Sequence, residues 1–238
     1  MRYSAILAAA LSIGAFGAAQ AALVNVQFGG NFNDPQAQVG PAVIGSAGDV
    51  WNQMWGLSGN TGGGALVDSD GNATGYSIAF STNGWLQVPE ADTVWGADYR
   101  NLMRGSIYAT DTLRNVTISG LPANAEYELY VYTQGDSGAN GRWMTLTPAG
   151  GSTVITDPAD ANANTFILGQ NYLRLDVMSD ASGVLSFDYV RHAGEANLNG
   201  LQLAVAEAQA PAPASLGLLA AGGLVLAAAR RRRPRSAA

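Results

Sequence analysis

The sequence predicts an all-β domain, an antiparallel β-sandwich, with an apolar segment at each end of the chain. Three observations support this prediction. Short segments in which apolar and polar residues alternate recur along the chain, as in half-buried strands. The 238 residues include 30 glycines, and clusters of Gly, Asn, Ser and Thr separate these segments as turns do. About ten strands at this spacing, with hardly any helical periodicity, favour a sandwich.

The N-terminus has the layout of a signal peptide, predicted over residues 1–21. Met1-Arg2 gives a positive start, residues 5–19 are an uncharged apolar run, and Ala19-Gln20-Ala21 fits the small-x-small cleavage pattern. A retained N-terminal anchor is the alternative. Because the run is short and the cleavage pattern follows directly, we expect an exported chain that begins near Ala22.

The C-terminus has three parts in a fixed order. Residues 207–213 form an Ala/Pro linker, residues 214–229 carry no charge, and residues 230–238 contain an arginine cluster. A helix over 214–229 would rise about 24 Å, slightly less than the hydrocarbon core of a bilayer at about 30 Å. The arginines would hold the C-terminus in the cytoplasm. We therefore predict a transmembrane helix; a soluble helix with a basic tail is the alternative.

This tail resembles the PEP-CTERM sorting signal of Gram-negative bacteria. The resemblance covers residues 211–238 and departs from the family at Ala212, where the family has Glu. It implies a partner, exosortase, a membrane protease-transferase that recognises the tail. The chain would be anchored transiently in the inner membrane and then reach the cell surface or the extracellular space. The residues that carry the resemblance are Pro211, Ala212, Pro213, Ala214 and Ser215, followed by Arg230, Arg231, Arg232 and Arg233.

The charge of the segment between the two ends excludes some partners. Residues 22–210 hold all 18 acidic residues but only six of the 12 basic ones, so their net charge is about −12. Such a domain repels nucleic acid and anionic lipid, and neither is expected as a partner. Cysteine is absent, so no disulfide stabilises the exported domain.

Period-two patterns define the domain over residues 22–206. Residues 23–28 place Val24, Val26 and Phe28 on one face, and residues 65–68 and 74–82 form a hairpin. Residues 31–64 are interpreted as long loops and 97–103 as a short helical turn. The remaining predicted strands are 114–119, 126–134, 142–147, 152–156, 165–168, 172–178, 184–191 and 198–205.

Two of these strands carry specific predictions about burial. In 126–134, either Tyr127, Leu129 and Val131 face the core, or Tyr130 and Tyr132 do. In 172–178, the period turns Leu173, Leu175 and Val177 toward the core. Asn171, at the start of that strand, is expected to tolerate substitution.

A second resemblance concerns the domain itself. Three short motifs are similar to jelly-roll domains with the galactose-binding-like fold: VNVQFG at 24–29, GLP at 120–122 before YELYVY at 127–132, and NGLQL at 199–203. The resemblance implies this fold, and many such exported domains bind carbohydrate. It transfers no binding site to this chain.

No catalytic constellation is complete. GDSG at 135–138 matches the sequence around a trypsin-type serine, but the one histidine, His192, lies downstream, the reverse of the order in that family. A turn between two strands explains the motif. A lone histidine also makes no multi-histidine metal site. We expect a protein without enzymatic activity, with a secreted hydrolase as the less favoured reading.

Two sets of residues are candidates for binding. Asp68, Asp70 and Asn72 place oxygens at alternating positions, as calcium loops do, although a plain hairpin turn is the favoured reading. Structural calcium is the one cofactor considered. The indoles of Trp51, Trp55, Trp85 and Trp95 lie in segments rich in Gly and Asn, where exposed rings would stack on sugars; packing in the core is the default for tryptophan.

Together these patterns predict an exported, C-terminally sorted protein of the cell surface or extracellular matrix. Its role would be structural, in a biofilm or exopolysaccharide matrix, without catalysis. The alternative is a carbohydrate-binding module displayed on the cell surface, with exopolysaccharide as its partner.

Overall fold

The computed structural model describes residues 23–29, 37–55, 60–87, 101–134, 142–157 and 165–206. Within these residues the regular secondary structure is almost entirely β-strand, and residues 101–103 are helical. The strands are β1 (Val24–Gly29), β2 (Asn52–Trp55), β3 (Thr61–Val67), β4 (Ala73–Ser81), β5 (Gly84–Gln87), β6 (Gly105–Ala109), β7 (Arg114–Ser119), β8 (Glu126–Tyr132), β9 (Arg142–Pro148), β10 (Val154–Ile155), β11 (Tyr172–Met178), β12 (Leu185–Gly194), β13 (Ala196–Leu198) and β14 (Gly200–Val205).

The strands form three sheets. A five-stranded sheet has the order β11-β8-β14-β1-β2, a six-stranded sheet has the order β10-β9-β12-β7-β4-β3, and a small sheet has the order β13-β6-β5. Neighbouring strands are antiparallel except β1 and β2, which are parallel. The predicted antiparallel β-sandwich is therefore confirmed for the described part of the chain.

One core joins the two large sheets. Phe28 of the five-stranded sheet meets Phe80 of the six-stranded sheet edge to face, with ring centroids 5.1 Å apart. Val24, Val26 and Phe28 are buried in this core, as the alternation of 23–28 predicts. Strand β11 follows its predicted period as well: Leu173 is buried, and Leu175 and Val177 pack partly buried against the same core.

A second buried layer covers the outer face of the five-stranded sheet. Residues 42–44, Trp51, Leu102 and Met103 pack there with Tyr130 and Tyr132. Both alternatives for strand 126–134 therefore hold in part. Tyr127, Leu129 and Val131 face the sandwich core, while Tyr130 and Tyr132 lie under this outer layer. Residues 37–51 contain no strand or helix, as the interpretation of 31–64 as loops predicts, although part of this segment packs in the outer layer. The interpretation is wrong at β2 and at the start of β3.

The sequence patterns also missed or misplaced some elements. Strands β2, β5, β6 and β13 were not predicted, and the predicted strand at 165–168 is only an isolated bridge between Leu168 and Tyr172. Asn171 is fully buried, and its side chain accepts from the Ile167 amide at 2.7 Å and donates to the Thr165 carbonyl at 3.0 Å. The expectation that Asn171 tolerates substitution is therefore wrong.

Both predicted terminal segments lie outside the described residues. These are the signal peptide at 1–21 and the linker, sorting motif, transmembrane helix and arginine cluster at 207–238. Within the described part of the chain, no helix has the length and apolar character to span a bilayer.

Candidate functional site

The four candidate tryptophans do not form one cluster in the described structure. Trp51 is only 5% exposed. Its indole nitrogen donates to the Gly40 carbonyl at 2.8 Å, and its ring packs edge-on against Tyr132. Trp51 therefore belongs to the outer layer of the fold. Trp95 and the GDSG motif at 135–138 lie outside the described residues.

Trp55 lies at the end of the five-stranded sheet, beside a glycine. The parallel register of β1 and β2 pairs Gly29 with Trp55. A methyl group on Gly29 would lie 3.2 Å from Trp55 Nε1 and 3.4 Å from Gln87 Oε1. The indole nitrogen and the amide oxygen therefore both lie close to Gly29, and a side chain larger than hydrogen would crowd them.

A second glycine keeps the Gln87 amide in this place. A methyl group on Gly105, which pairs with Gln87 across β5 and β6, would lie 2.8 Å from Gln87 Oε1 and 3.0 Å from the Phe28 carbonyl oxygen. Real Cβ atoms essentially never approach another atom to 2.8 Å, and the 3.0 Å approach to the backbone oxygen is also tight, so a side chain at 105 would displace the Gln87 amide. Glycine at 105 is therefore needed for the Gln87 side chain to reach Gly29.

The indole N–H of Trp55 is buried and has no hydrogen-bond partner among the residues that the structure describes. A buried donor without a partner costs about 1–3 kcal/mol, and native structures seldom keep one without a reason. An acceptor from a water molecule or a ligand would remove this cost. Such an acceptor would have to approach Nε1 beside Gly29 and Gln87.

Trp85 adds an exposed ring next to this polar pair. It lies two residues before Gln87 on β5, so both side chains leave the strand on the same side, about 7 Å apart. Trp85 is 47% exposed, which is unusual for so large an apolar side chain. We call the set of Trp55, Gln87 and Trp85 around Gly29 the indole surface.

The indole surface consists of three kinds of uncharged group. It offers one buried N–H donor, one amide oxygen and one exposed aromatic face. Small-molecule sites are built from apolar and aromatic surface with a few placed polar groups, and an aromatic ring packs well against the C–H face of a sugar. The chemistry of this surface therefore suits a neutral polyhydroxylated ligand.

The predicted calcium ligands form a hydrogen-bonded turn between β3 and β4. Asp68 accepts from the amides of Asp70 and Asn72, at 3.0 and 2.8 Å, and from the Asn72 side chain at 3.2 Å. The Asn72 backbone N–H in particular holds the pKa of Asp68 below its usual value. Among the described residues, no three His, Cys, Asp or Glu side chains are grouped closely enough to hold a metal ion, and calcium binding stays a prediction.

We expect Asp68→Ala to destabilise the protein by about 1 kcal/mol at neutral pH, because the turn loses its acceptor. A carboxylate with a lowered folded-state pKa stabilises the fold above its unfolded pKa and loses that effect as pH falls through the folded pKa. Urea unfolding of wild type and variant should therefore differ at pH 7 and converge in acid. Asp70→Ala is the control, since the Asp70 carboxylate does not anchor the turn. A difference that is the same at both pH values would contradict this role of Asp68.

The structure also shows an aromatic pair that sequence patterns did not reveal. The register of β9 and β12 shifts between Arg191 and Ala193, and His192 lies at this bulge. Its exposed ring stacks on Trp143, with centroids 5.5 Å apart and planes within 9°. An ion pair between Arg142 and Glu195 lies beside it. A bulge breaks the alternation of a strand, so no local pattern could have predicted this pair.

The fold and the site together define a class, a β-sandwich domain with an exposed, uncharged aromatic surface. No protein-family model matches the sequence, and no curated protein matches it. Solved structures give partial matches. One is an exo-β-1,3-galactanase from Phanerochaete chrysosporium, with 14% identity, a TM-score of 0.34, and coverage of 58% of this chain and 32% of that one.

Two further matches are similar in extent. A family 35 carbohydrate-binding module from Clostridium thermocellum has 14% identity and a TM-score of 0.30 over 52% of this chain and 100% of that one. A mannanase from Podospora anserina with a family 35 module has 14% identity and a TM-score of 0.32 over 64% of this chain and 29% of that one. The chain thus spans about a third or less of the length of the two enzymes. Likeness at this level does not say what this chain binds.

Proposed function

We propose that the domain is a non-catalytic carbohydrate-binding domain and that the indole surface holds the sugar. The observation that carries this proposal is the buried indole N–H of Trp55, which has no partner in the described part of the chain and lies with Gln87 Oε1 beside Gly29. A sugar hydroxyl would accept from the indole N–H and donate to Gln87 Oε1 once the Gln87 or Trp55 side chain shifts to admit it. The adjacent ring of Trp85 then packs against the C–H face of the same or the next sugar unit.

The composition of the surface favours binding over hydrolysis. Glycoside hydrolysis requires two carboxyl groups on either side of the scissile bond. The indole surface contributes an amide and two indoles and no carboxylate of its own. We therefore infer recognition without bond cleavage.

A shallow surface binds weakly, with a dissociation constant near 1 mM, or about −4 kcal/mol. Many copies on one polymer or one cell surface would turn this into useful avidity. The predicted PEP-CTERM tail would supply such display after exosortase processing, with exopolysaccharide as the ligand. Sorting to a matrix rests on the tail sequence alone and stays a prediction.

The test is calorimetric titration of the purified protein with a panel of neutral polysaccharides and the host's own exopolysaccharide. We expect Trp85→Ala and Gln87→Leu each to weaken binding at least about tenfold, or about 1.4 kcal/mol. Gly29→Ala should do the same without removing any functional group, because its methyl group would lie 3.2 Å from the indole nitrogen and 3.4 Å from the amide oxygen and push them apart.

Trp143→Ala is the matched control, since it removes a partly exposed indole from a different surface. Urea unfolding of each variant shows whether the fold is retained. If Trp85→Ala and Gly29→Ala bind as the wild type does while Trp143→Ala does not, the indole surface is not the site. Absence of binding across the whole panel would contradict carbohydrate recognition itself.

A further inference from the structure

Strand β11 (Tyr172–Met178) lies at one edge of the five-stranded sheet. It pairs with β8 on one side, and among the described residues no strand pairs with its other side, which we call the free edge. Such an edge presents a row of backbone N–H and C=O groups to other chains, and natural proteins usually interrupt it. Strand β11 contains neither proline nor glycine, and its register with β8 has no bulge. Its backbone is therefore suited to pairing with a further strand.

Alternate residues of β11 direct their backbone groups to the free edge. In an antiparallel pair, every second residue exchanges hydrogen bonds with the neighbouring strand. The Asn171 carbonyl and the Ser179 amide, just beyond the two ends of β11, each bond at 3.0 Å to a residue that flanks β8. The odd-numbered residues therefore face β8, and the N–H and C=O groups of Arg174 and Asp176 face the free edge.

A turn limits the part of the free edge that can pair. The Gly169 amide donates to the Tyr172 carbonyl at 2.8 Å, which confirms that an even-numbered residue faces this edge and shows that its carbonyl already has a partner. The stretch open to pairing therefore begins at Arg174. From there to Met178, the even-numbered side chains are exposed.

The charges on the outer face of β11 are incompletely balanced within one chain. Asp176 lies directly opposite Glu128 of β8, and like charges in this arrangement destabilise a sheet. Arg174 makes its closer ion pair with Glu128 and lies 3.7 Å from Asp176. One arginine thus serves two carboxylates. Asp176, whose side chain is 84% exposed, would gain from a basic residue opposite it at the free edge.

A second copy of β11 supplies such a residue. When two β11 strands meet in antiparallel orientation at a two-fold axis through Leu175, Arg174 lies opposite the partner's Asp176. By symmetry, Asp176 lies opposite the partner's Arg174. Each of these pairs exchanges backbone hydrogen bonds, because the backbone groups of both residues face the free edge. An axis through Arg174 or through Asp176 would place like charges opposite each other, so the charges favour one register.

The core face of the strand matches in the same register. Leu175 lies opposite the partner's Leu175, and Leu173 lies opposite the partner's Val177. Leu175 and Val177 are only partly buried in one chain, because they lie at the edge of the sandwich. Pairing covers this apolar surface and removes it from water, which stabilises the association.

We propose that the protein forms a symmetric dimer through β11, in which the two five-stranded sheets become one continuous sheet. The interface is isologous and occupies the β11 edge of both copies, so it closes at two chains. Backbone pairing at a sheet edge is a general mode of recognition; here Arg174 and Asp176 select the partner and the register. The dimer does not depend on what the indole surface binds.

The test measures the mass of the full chain by sedimentation equilibrium. A mild detergent keeps the apolar segment at 214–229 from associating by itself. We expect a monomer–dimer equilibrium for the wild type. Arg174→Asp and Asp176→Arg each place like charges opposite each other, so each should weaken the dimer at least about tenfold. An equimolar mixture of these two variants restores opposite charges at both positions and should form a heterodimer.

Arg191→Asp is the matched control, because Arg191 is a similarly exposed arginine of β12 with its own ion pair, to Asp111. It should leave the dimer unchanged. Urea unfolding of each variant shows whether the fold is retained. Hydrogen exchange locates the interface: the amides of Arg174 and Asp176 should become protected as protein concentration rises, whereas the Leu175 amide, which faces β8, is protected throughout.

Three results would overturn the proposal. The first is a wild-type chain that stays monomeric up to its solubility limit. The second is a dimer that Arg174→Asp and Asp176→Arg leave intact, since its interface would lie elsewhere. The third is a mixture of the two folded variants that does not associate, since Arg174 would then not lie opposite the partner's Asp176.

Discussion

Phe28→Ala is expected to lower the free energy of unfolding by about 3–5 kcal/mol, the range for removing a large buried aromatic side chain. Phe28 is fully buried, and its ring meets Phe80 edge to face at 5.1 Å. Because β1 belongs to the five-stranded sheet and β4 to the six-stranded sheet, this contact joins the two halves of the sandwich. The substitution leaves a cavity between the sheets and removes the aromatic pair.

Urea unfolding followed by far-UV circular dichroism measures this loss as a lower midpoint at unchanged slope. Leu113→Ala is the control, because Leu113 is 58% exposed and its truncation should change stability by less than about 0.5 kcal/mol. Similar losses in the two variants would mean that Phe28 does not connect the sheets as described.

Strands whose alternation ends in clear turns could be predicted from the sequence. Strands β7, β8, β11 and β14 were found within a few residues of their bounds, since each has a period-two pattern next to a Gly, Asn or Pro turn. The inward face of β1 was also correct. In each of these strands local residue order decides which side chains face the core.

Short strands defined by distant partners could not be predicted. Strand β2 pairs in parallel with β1, and β13 pairs with β6 about ninety residues away. The hairpin of β3 and β4 was predicted, but the first half of β3 was not, because it contains three consecutive glycines, which have little strand propensity. One of them, Gly62, is needed because a methyl group there would lie 2.4 Å from the ring of Phe80. Strands β2 and β13 exist through contacts with partners that no local sequence window contains.

The geometry of the candidate site could not be predicted from local sequence either. The sequence predicts Trp55 and Trp85 as candidates. Their positions near Gly29, Gln87 and Gly105 depend on the pairing of β1 with β2 and of β5 with β6. Trp51 has the same local context as Trp55, yet it lies under the outer layer with its N–H bonded to Gly40. Sequence spacing could not separate a packed indole from a partly exposed one.

Polar residues on the outer face of β1 and β14 gave a misleading pattern. Asn25 and Gln202 alternate with core residues, as side chains facing solvent do, yet both are fully buried. The outer layer covers them, and their side chains bond to it and to each other. Alternation identifies the two faces of a strand but does not say whether the polar face meets water or a second layer of protein.

Gln202 is the centre of this buried network. Its Oε1 accepts from the Tyr132 hydroxyl and, at 3.4 Å, from the Ile44 amide. Its Nε2 donates to Asn25 Oδ1 at 2.8 Å and to the Ile44 carbonyl at 3.1 Å. The side chain therefore ties β14 to β1 and to the residues that cover the sheet.

Gln202→Leu should cost about 3 kcal/mol or more, although leucine has a similar volume and is more apolar. The groups on Tyr132, Asn25 and Ile44 lose this partner without gaining access to water, and each unsatisfied buried group costs about 1–3 kcal/mol. Gln53→Leu is the matched control, the same substitution at an exposed position of β2, and should be nearly neutral. Urea unfolding measures both variants, and hydrogen exchange of the Ile44 amide reports the outer layer directly. If Gln202→Leu were as stable as the wild type and kept Ile44 protected, packing rather than hydrogen bonding would hold the outer layer on the sheet.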